Sequence, residues 1–293
     1  MLTYWAFKAV QSLIETLPRA WAYALGIVVA RLAYRFSDAA RERLETNLRQ
    51  ALPHAGDDDI QRIARLNFRN HSKAYADLMQ LPALDLEQMR PYLHLYGMEH
   101  LDAALERGRG VLVISVHMGS WEIVAAIWAA SIAPVYFFAE VLEPRKMYEW
   151  YRDTRAKLGI KVLPANRKGL KQVIEALESN AMVVTAIDRD VIGTGIPMRF
   201  FGRDARIPSG PAALALRLGT PLLPVCVYRL PDDSYQAVGL PPLIAEPSGD
   251  RDADLKRVTA DLLHTLEDFV RQHPDQWHVP HVIWDSNGRG PAT

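Results

Sequence analysis

The chain has little cysteine, no net charge and few glycines for its length. Its single cysteine, Cys226, excludes an intrachain disulfide and a zinc site built from cysteines. Because it lies in the apolar run 222–228, a buried core thiol is the favoured interpretation. The 34 Lys and Arg residues balance 34 Asp and Glu residues. The chain as a whole therefore lacks the basic character of a polyanion-binding protein, and nucleic acid is not an expected partner.

The N-terminal region lacks both the pattern of a secretory signal and a run long enough to cross a bilayer. Residues 20–30 are apolar all round, which falls short of the ~20 residues that a span requires. Residues 2–17 place apolar side chains at three- and four-residue steps, which predicts an amphipathic helix. We predict that residues 1–36 lie on a membrane or dip into it. Packing of the same helices on the protein's own core fits the pattern nearly as well.

The rest of the chain changes from a helical pattern to one in which strands and helices alternate. Residues 1–80 are helical in pattern, with a break at 53–56, and residues 37–293 form one predicted α/β domain after the helical N-terminal region. Alternation predicts βαβ units and a mostly parallel central sheet with helices on both faces. The Pro- and Gly-rich segment 189–211 is expected to be a long functional loop. Predicted strands are 92–96, 111–117, 135–141, 161–164, 182–188, 222–229 and 235–240; predicted helices are 97–107, 120–132, 144–158, 168–179, 209–218 and 252–273.

The most informative segment is the apolar run 111–116, which leads directly into His117. A histidine at the carboxyl end of a buried parallel strand lies where open α/β sheets place their chemistry. Glu122 follows in the first turn of the next helix, after a Gly-Ser turn that can fold it back onto the imidazole. A histidine oriented by a carboxylate is a general-base pair. A surface ion pair or a core histidine remains the alternative.

Two further groups of charged residues follow predicted strands. Glu140 comes after the apolar residues 135–139, either as a functional carboxylate or at the rim of the core. The group Asp188-Arg189-Asp190 follows the strand at 182–188 and is predicted to line the same cleft as His117, a solvated turn being the alternative. No metal site is assigned to Asp188 and Asp190.

The motif from His117 to Glu122 resembles the His-x4-Asp/Glu motif of the glycerolipid acyltransferases. Further segments narrow the resemblance to the lipid A late acyltransferases and the related phosphatidylinositol mannoside acyltransferases. Among them are Asn47-Leu48 and Asn67-Phe68, which resemble the two helical signatures of that branch. The match extends from about residue 40 to Trp284, through segments at 43–53, 67–68, 155–164, 188–190, 200–202 and 205–215.

The resemblance implies a glycerolipid-acyltransferase-like αβα fold and an O-acyltransferase with His117 as general base and Glu122 as its orienting acid. The acyl donor would be acyl-CoA or acyl-carrier protein, and no cofactor besides this co-substrate is expected. The acceptor would be a hydroxyl of a glycolipid, either lipid A-like or phosphatidylinositol mannoside-like. The enzyme would be peripheral or monotopic at the cytoplasmic face of the inner membrane. A thioesterase or hydrolase, or a non-catalytic membrane-binding protein, stays as the alternative.

Other residues acquire expected roles from the same resemblance. Arg155, which by default would be a surface residue of its helix, maps onto an arginine implicated in the active site. Glu140, Asp188, Arg189 and Asp190 would contact substrate. Ser209 and Gly210 precede a helix whose backbone amides suit a phosphate of the donor's pantetheine arm, an ordinary helix cap being the alternative. The chain contains no Gly-x-Ser-x-Gly nucleophile motif, which favours direct transfer over an acyl-enzyme.

Overall fold

A computed structural model describes residues 2–190, 193–279 and 281–284. Helices come first, and Pro18 separates the first two of them because proline fits only at a helix start. Three acidic residues begin the fourth, where the helix dipole favours negative charge. The helical prediction for the N-terminal region is thus confirmed. The four helices are α1 (Leu2–Thr16), α2 (Arg19–Phe36), α3 (Asp38–Ala51) and α4 (Asp57–Gln80).

Seven strands form the central sheet in the order β1-β9-β8-β2-β5-β3-β4. Within the described residues, each neighbouring pair in this sheet is parallel except β8 and β9. The prediction of a mostly parallel sheet is confirmed. The strands are β1 (Leu93–Tyr96), β2 (Val111–Ser115), β3 (Val135–Ala139), β4 (Ile160–Pro164), β5 (Met182–Ala186), β8 (Leu222–Arg229) and β9 (Tyr235–Gly239).

Helices cover both faces of this sheet, as the alternation predicts. One face packs against α6 (Met98–Glu106), α7 (Trp121–Ser131) and α8 (Arg145–Lys157). The other face packs against α9 (Arg167–Glu178), α10 (Gly210–Leu218) and α11 (Arg251–Gln272). The short helix α5 (Leu86–Met89) connects α4 to the first strand. Alternate residues of the inner strands therefore belong to two separate apolar cores, as Val111 and Val113 of β2 belong to one and Leu112 and Ile114 to the other.

The segment predicted as a long loop contains a β-hairpin instead. Strands β6 (Ile196–Phe200) and β7 (Arg203–Ile207) pair antiparallel. Phe201 and Gly202 both have positive φ, which is the backbone of a two-residue hairpin turn. Each strand is only five residues long and lies between Pro and Gly residues, so the sequence pattern alone does not predict them.

The N-terminal helices lie against α4 rather than apart from it. Ile14, Ala22 and Tyr23 are buried in a small cluster with Ala76 of α4. Large apolar residues of α1 and α2 face outward, among them Trp5, Trp21 and Phe36. No helix in the described ranges is both long and apolar enough to cross a membrane. The division into a region 1–36 and a domain 37–293 stays a prediction.

Candidate active site

The carboxyl edge of the sheet collects the polar residues that the strands were predicted to place there. His117 lies two residues beyond the end of β2, and Asp188 lies two residues beyond the end of β5. Because β2 and β5 are neighbours in parallel register, with Ser115 opposite Ala186, the two side chains emerge side by side. The sheet itself thus brings the histidine and this aspartate together.

Asp188 binds His117 through both of its oxygens. Its Oδ1 lies 2.6 Å from the imidazole Nδ1, and its Oδ2 accepts a hydrogen bond from the His117 backbone amide at 2.9 Å. Trp277 Nε1 donates a third hydrogen bond to Oδ2 at 3.0 Å. The aspartate is fully buried, whereas the histidine side chain is 30% exposed. The buried carboxylate is therefore fixed in place, and it holds the imidazole in a position that is partly open to solvent.

The charge state of Asp188 decides which imidazole nitrogen carries the proton. Burial alone would raise the pKa of Asp188, but the nearby His117 and the hydrogen bonds from His117 and Trp277 outweigh burial and lower it. An ionised carboxylate can only accept, so Nδ1 of His117 must be the donor. The neutral imidazole then has its lone pair on Nε2, and His117 lines the cavity described below.

A tight turn and the C-terminal segment hold His117 in place. Gly119 has φ +62°, and a Cβ at this position would lie 2.4 Å from the carbonyl oxygen of Val227, so only glycine fits. The backbone at 117–119 pairs with 276–278: Gly119 N donates to Gln276 O at 3.1 Å, and His278 N donates to His117 O at 2.7 Å. This pairing also delivers Trp277 to Asp188.

Glu122 is not the partner of His117, which corrects the prediction from spacing. Both of its oxygens accept hydrogen bonds from Arg155, one from Nη2 and one from Nε at 3.1 Å. Each side chain of this pair is 8% exposed. The guanidinium is packed among aromatic rings, with Trp121 and Tyr151 centroids at 5.1 and 5.2 Å. Glu122 thus joins the start of α7 to α8, because Arg155 neutralises it more closely than an imidazole would.

Arg155 is buried rather than a surface residue. Burial alone would lower its pKa, but Glu122 and nearby tyrosines raise it. Glu140 and Arg189 form a second ion pair, with Nη2 and Oε2 3.0 Å apart. Both residues line the cavity and are about one quarter exposed.

Asp190, Ser209 and Gly210 differ in how they relate to the site. The two oxygens of Asp190 accept from the amides of Gly193, Thr194 and Gly195, so this carboxylate organises its own turn. Gly210 at the start of α10 lines the cavity. Ser209 precedes the helix, and its side chain makes no capping hydrogen bond among the described residues. Within the same residues, no three His, Cys, Asp or Glu side chains cluster as metal ligands would.

A largely apolar cavity of about 610 Å³ opens beside His117. Its lining combines a few polar residues, among them Glu140 and Arg189, with aliphatic and aromatic side chains from both the sheet and α7. An apolar interior with a few convergent polar groups at the mouth is typical of a site for a lipid-like ligand.

Comparison with known proteins identifies the family of this chain. The family model described as bacterial lipid A biosynthesis acyltransferase matches residues 1–286. The chain belongs to this family. It is therefore an acyltransferase of lipid biosynthesis, and its recognition from the ordered motifs is confirmed.

Similar proteins are distant in sequence but cover most of the chain. The phosphatidylinositol mannoside acyltransferase of Mycobacterium tuberculosis (strain CDC 1551 / Oshkosh) is 28% identical over 287 residues, covering 90% of this chain and 88% of that protein. The lipid A biosynthesis lauroyltransferase of Escherichia coli K12 is 24% identical over 290 residues, with coverage of 98% and 92%. The crystal structure of the 1-acyl-sn-glycerophosphate acyltransferase PlsC from Thermotoga maritima covers 89% of this chain and 100% of that chain, with a TM-score of 0.40 and 15% identity.

Two groups of contacts around the candidate site were missed by sequence reasoning. Trp277, which binds Asp188, lies in a short segment after the last helix that carries no strand or helix pattern. The second is a buried network in which Arg229 donates to Ser120 Oγ at 2.5 Å, to Tyr23 OH at 2.7 Å and to Asp77. The only hint of this network in the sequence is the position of Arg229, a charged residue that ends the apolar strand β8. This network joins α2 and α4 to the turn that follows His117.

Proposed function

We propose that this acyltransferase moves a fatty acyl chain from acyl-CoA or acyl-carrier protein to a hydroxyl of a glycolipid, with His117 as the general base. The observation that carries this proposal is the His117–Asp188 pair at the mouth of an apolar cavity. Asp188 takes the orienting role that spacing assigned to Glu122. In this proposal Glu122 and Arg155, which both line the cavity, form an ion pair that holds α7 against α8.

The reaction follows from the protonation state of His117. Nε2 accepts the proton of the acceptor hydroxyl as its oxygen attacks the thioester carbonyl. The imidazolium that forms is stabilised by Asp188, to which it stays bound through Nδ1. The tetrahedral intermediate then collapses, the C–S bond breaks, and the leaving sulfur takes the proton from Nε2. The products are an ester and a free thiol, and the imidazole returns to its neutral form.

Transfer is proposed to be direct, without an acyl-enzyme. Cys226 is buried on β8, and burial raises the pKa of its thiol to about 12. A thiolate is the reactive form of cysteine, so this group is inert near neutral pH. Among the described residues, no serine or cysteine side chain hydrogen-bonds to Nε2 of His117, which supports the substrate hydroxyl as the nucleophile.

Polar groups at the cavity mouth suit the charged parts of both substrates. Arg189 is paired on one edge with Glu140, and its Nε is buried without a hydrogen-bond partner among the described residues. The amino end of α10 faces the cavity at Gly210, where the helix dipole favours a phosphate. The pantetheine arm, common to CoA and carrier protein, ends in a phosphate. We assign the N-terminus of α10 to the donor and the Glu140–Arg189 pair to the acceptor.

The outward apolar face of α1 and α2 supports a membrane-surface location for the enzyme. Trp21, Val28 and Phe36 are 71%, 50% and 74% exposed. A helix that shows such residues to the outside, with arginines nearby, is typical of an interfacial helix. A glycolipid acceptor would then reach His117 from the bilayer surface. The cytoplasmic face of the inner membrane is the proposed side, because both donor types are cytoplasmic thioesters.

The test is transfer by the purified full-length protein with each combination of donor and acceptor. Palmitoyl-CoA and palmitoyl-carrier protein would be supplied with a phosphatidylinositol mannoside or a lipid A precursor, and acylated lipid measured by mass spectrometry. We expect an ester product that depends on His117 and on the acceptor. Thioester hydrolysis at the same rate with and without acceptor would identify a thioesterase instead. Absence of both activities, with the lipid bound, would indicate a binding protein.

A further inference from the structure

The cavity beside His117 extends along helix α7. Helix α7 follows β2 in a crossover, so it begins at the carboxyl edge of the sheet and ends near the amino edge. Five of its residues line the cavity: Trp121, Glu122, Val124, Ala125 and Trp128. Their spacing places them on one face of the helix. Trp121 and Trp128 are separated by about 10 Å along the helix axis, at ~1.5 Å per residue.

The sheet lines the same cavity over the same distance. Met182 is the first residue of β5 and Ala186 the last, and both line the cavity, so the lined length is about 13 Å at ~3.3 Å per residue. Val135 at the start of β3 and Leu223 near the start of β8 also contribute. The cavity thus runs along the strands from His117 to their amino ends. An extended acyl chain with its thioester at His117 would follow this direction.

Trp128 is the largest side chain at that far end. It is buried, with 9% of its surface exposed, and Leu101 of α6 lies at the same end of the cavity. Its Nε1 is buried and makes no hydrogen bond among the described residues. A substitution of this residue therefore removes volume without breaking a polar contact. Substitutions of Trp128 therefore test directly how the depth of the cavity affects ligand binding.

We propose that Trp128 sets the upper length of the acyl chain that this enzyme accepts, an inference that rests on the proposed acyl-transfer function. The indole ring closes the end of the cavity, so a chain that reaches it can extend no further. A smaller residue at 128 opens space for additional methylene groups. Each methylene that becomes buried strengthens binding about fourfold, and one that is excluded loses this gain. Preference therefore shifts toward longer chains when the ring is removed.

The experiment measures the dissociation constants of S-alkyl phosphopantetheine thioethers for the full-length protein. These probes carry the arm that both donor types share and cannot be cleaved. Saturated chains would be lengthened two carbons at a time, from decyl to octadecyl. We expect a length optimum in the wild type and an optimum at least two carbons longer in Trp128→Ala. Trp128→Ala should bind its optimal chain about 15-fold more tightly than the wild type binds the chain two carbons shorter that is optimal for it.

Two further variants keep the inference testable if Trp128→Ala does not fold. Trp128→Leu makes a smaller opening, and Ala125→Leu narrows the cavity nearer its mouth, so the optimum should become shorter. Ile127→Ala is the matched control, because Ile127 is buried on α7 but does not line the cavity. It should leave the optimum unchanged. Thermal unfolding would establish which variants are folded.

The outcomes separate this inference from the proposed function. If the wild type binds none of the probes, the acyl cavity and the proposed function are both wrong. If the wild type shows an optimum that the folded Trp128 and Ala125 variants leave in place, only the role of Trp128 is wrong. If Ile127→Ala shifts the optimum as much as Trp128→Ala, general loosening of α7 explains the effect and the inference fails.

Discussion

Asp188 holds His117 at two points, through the ring Nδ1 at 2.6 Å and through the backbone amide at 2.9 Å. The contact with the ring determines the tautomer of His117, and the contact with the backbone amide fixes the position of its main chain. Both depend on the parallel pairing of β2 with β5, which brings the two strand ends together. The catalytic proposal therefore depends on a residue 71 positions away in the sequence.

Asp188→Asn should abolish most transfer activity without unfolding the protein. An amide of the same shape can still accept from Trp277, but its NH2 group facing Nδ1 would force the imidazole proton onto Nε2. The base would then be unable to accept a proton. We expect kcat to fall about 10²–10⁴-fold, as for loss of the general base itself. The measurement is steady-state kinetics of Asp188→Asn and His117→Ala side by side. Thermal unfolding of both variants is the control for folding. Wild-type kcat in Asp188→Asn would show that the pair is not catalytic.

Glu122→Gln should act mainly on stability. It leaves the Arg155 guanidinium buried without its counter-charge, and breaking a buried ion pair by one partner costs about 3–5 kcal/mol. Replacing both residues, as in Glu122→Leu with Arg155→Met, should recover much of that loss. Urea unfolding gives the free energies, and kcat is measured on the folded fraction. A large fall in kcat with unchanged stability would return Glu122 to the role of orienting acid.

The sequence predicts the sheet better than it predicts the partner of His117. Apolar runs between helices indicate parallel strands, and strand ends indicate where His117, Glu140 and Asp188 lie. Spacing favours Glu122 over Asp188 because a local pair is visible in the chain and a pair across two strands is not. Arg155 decides the question, since its guanidinium binds both oxygens of Glu122. Which charged partner a carboxylate binds depends on tertiary packing, and a sequence motif does not contain that information.

The helical signatures gain a physical explanation only in the folded chain. Asn67 Nδ2 donates to Trp277 O at 2.6 Å, and Asn47 Nδ2 donates to His281 O at 2.8 Å. Both asparagines therefore fix the C-terminal segment, which in turn supplies Trp277 to Asp188. Sequence reasoning noticed these asparagines through resemblance alone. Their contacts span more than two hundred residues and were not predictable from local pattern.

Stability should decrease as the pH falls from neutral, because two buried histidines stay uncharged in the native state. The rings of His71 and His278 are stacked with centroids 3.1 Å apart. Burial, with His117 and Arg189, lowers the pKa of His278 to about 3, and burial with His278 lowers the pKa of His71 well below its usual value. In the unfolded chain both titrate near 6.5. Below that pH the unfolded state binds protons that the native state does not, so acid favours unfolding.

The expected slope is up to about 1.4 kcal/mol per pH unit for each of these two histidines as the pH falls below about 6.5. For His278 the effect continues down toward pH 3. Urea unfolding at a series of pH values between 7 and 5 measures it. The double variant His71→Phe, His278→Phe keeps stacked rings without titrating groups and should flatten the slope. His264→Gln, at an exposed position of α11, is the matched control for removing an imidazole. An equal slope in the wild type and the double variant would contradict the prediction.

Substitutions on the outer face of α2 should release the enzyme from membranes while leaving its fold intact. Deleting residues 1–36 is a poorer test, because Tyr23 belongs to the buried network with Asp77 and Arg229. Trp21, Val28 and Leu32 are at least half exposed, so changing all three to serine removes little packing. Each apolar side chain that is buried in the interface contributes roughly 1.5–3 kcal/mol. Binding to anionic vesicles should therefore weaken by at least about tenfold.

Vesicle flotation of the full-length wild type and this triple variant makes the comparison. Ile244→Ser is the matched control, since Ile244 is an exposed apolar residue after β9, outside the N-terminal helices. Transfer to a vesicle-embedded acceptor should fall more than transfer to a short-chain soluble one, because His117 and its cavity are untouched. Equal flotation of the triple variant and the wild type would mean that another surface meets the membrane. Loss of folding in the triple variant would mean that α2 packs on protein through its outer face as well, and that the interfacial assignment is wrong.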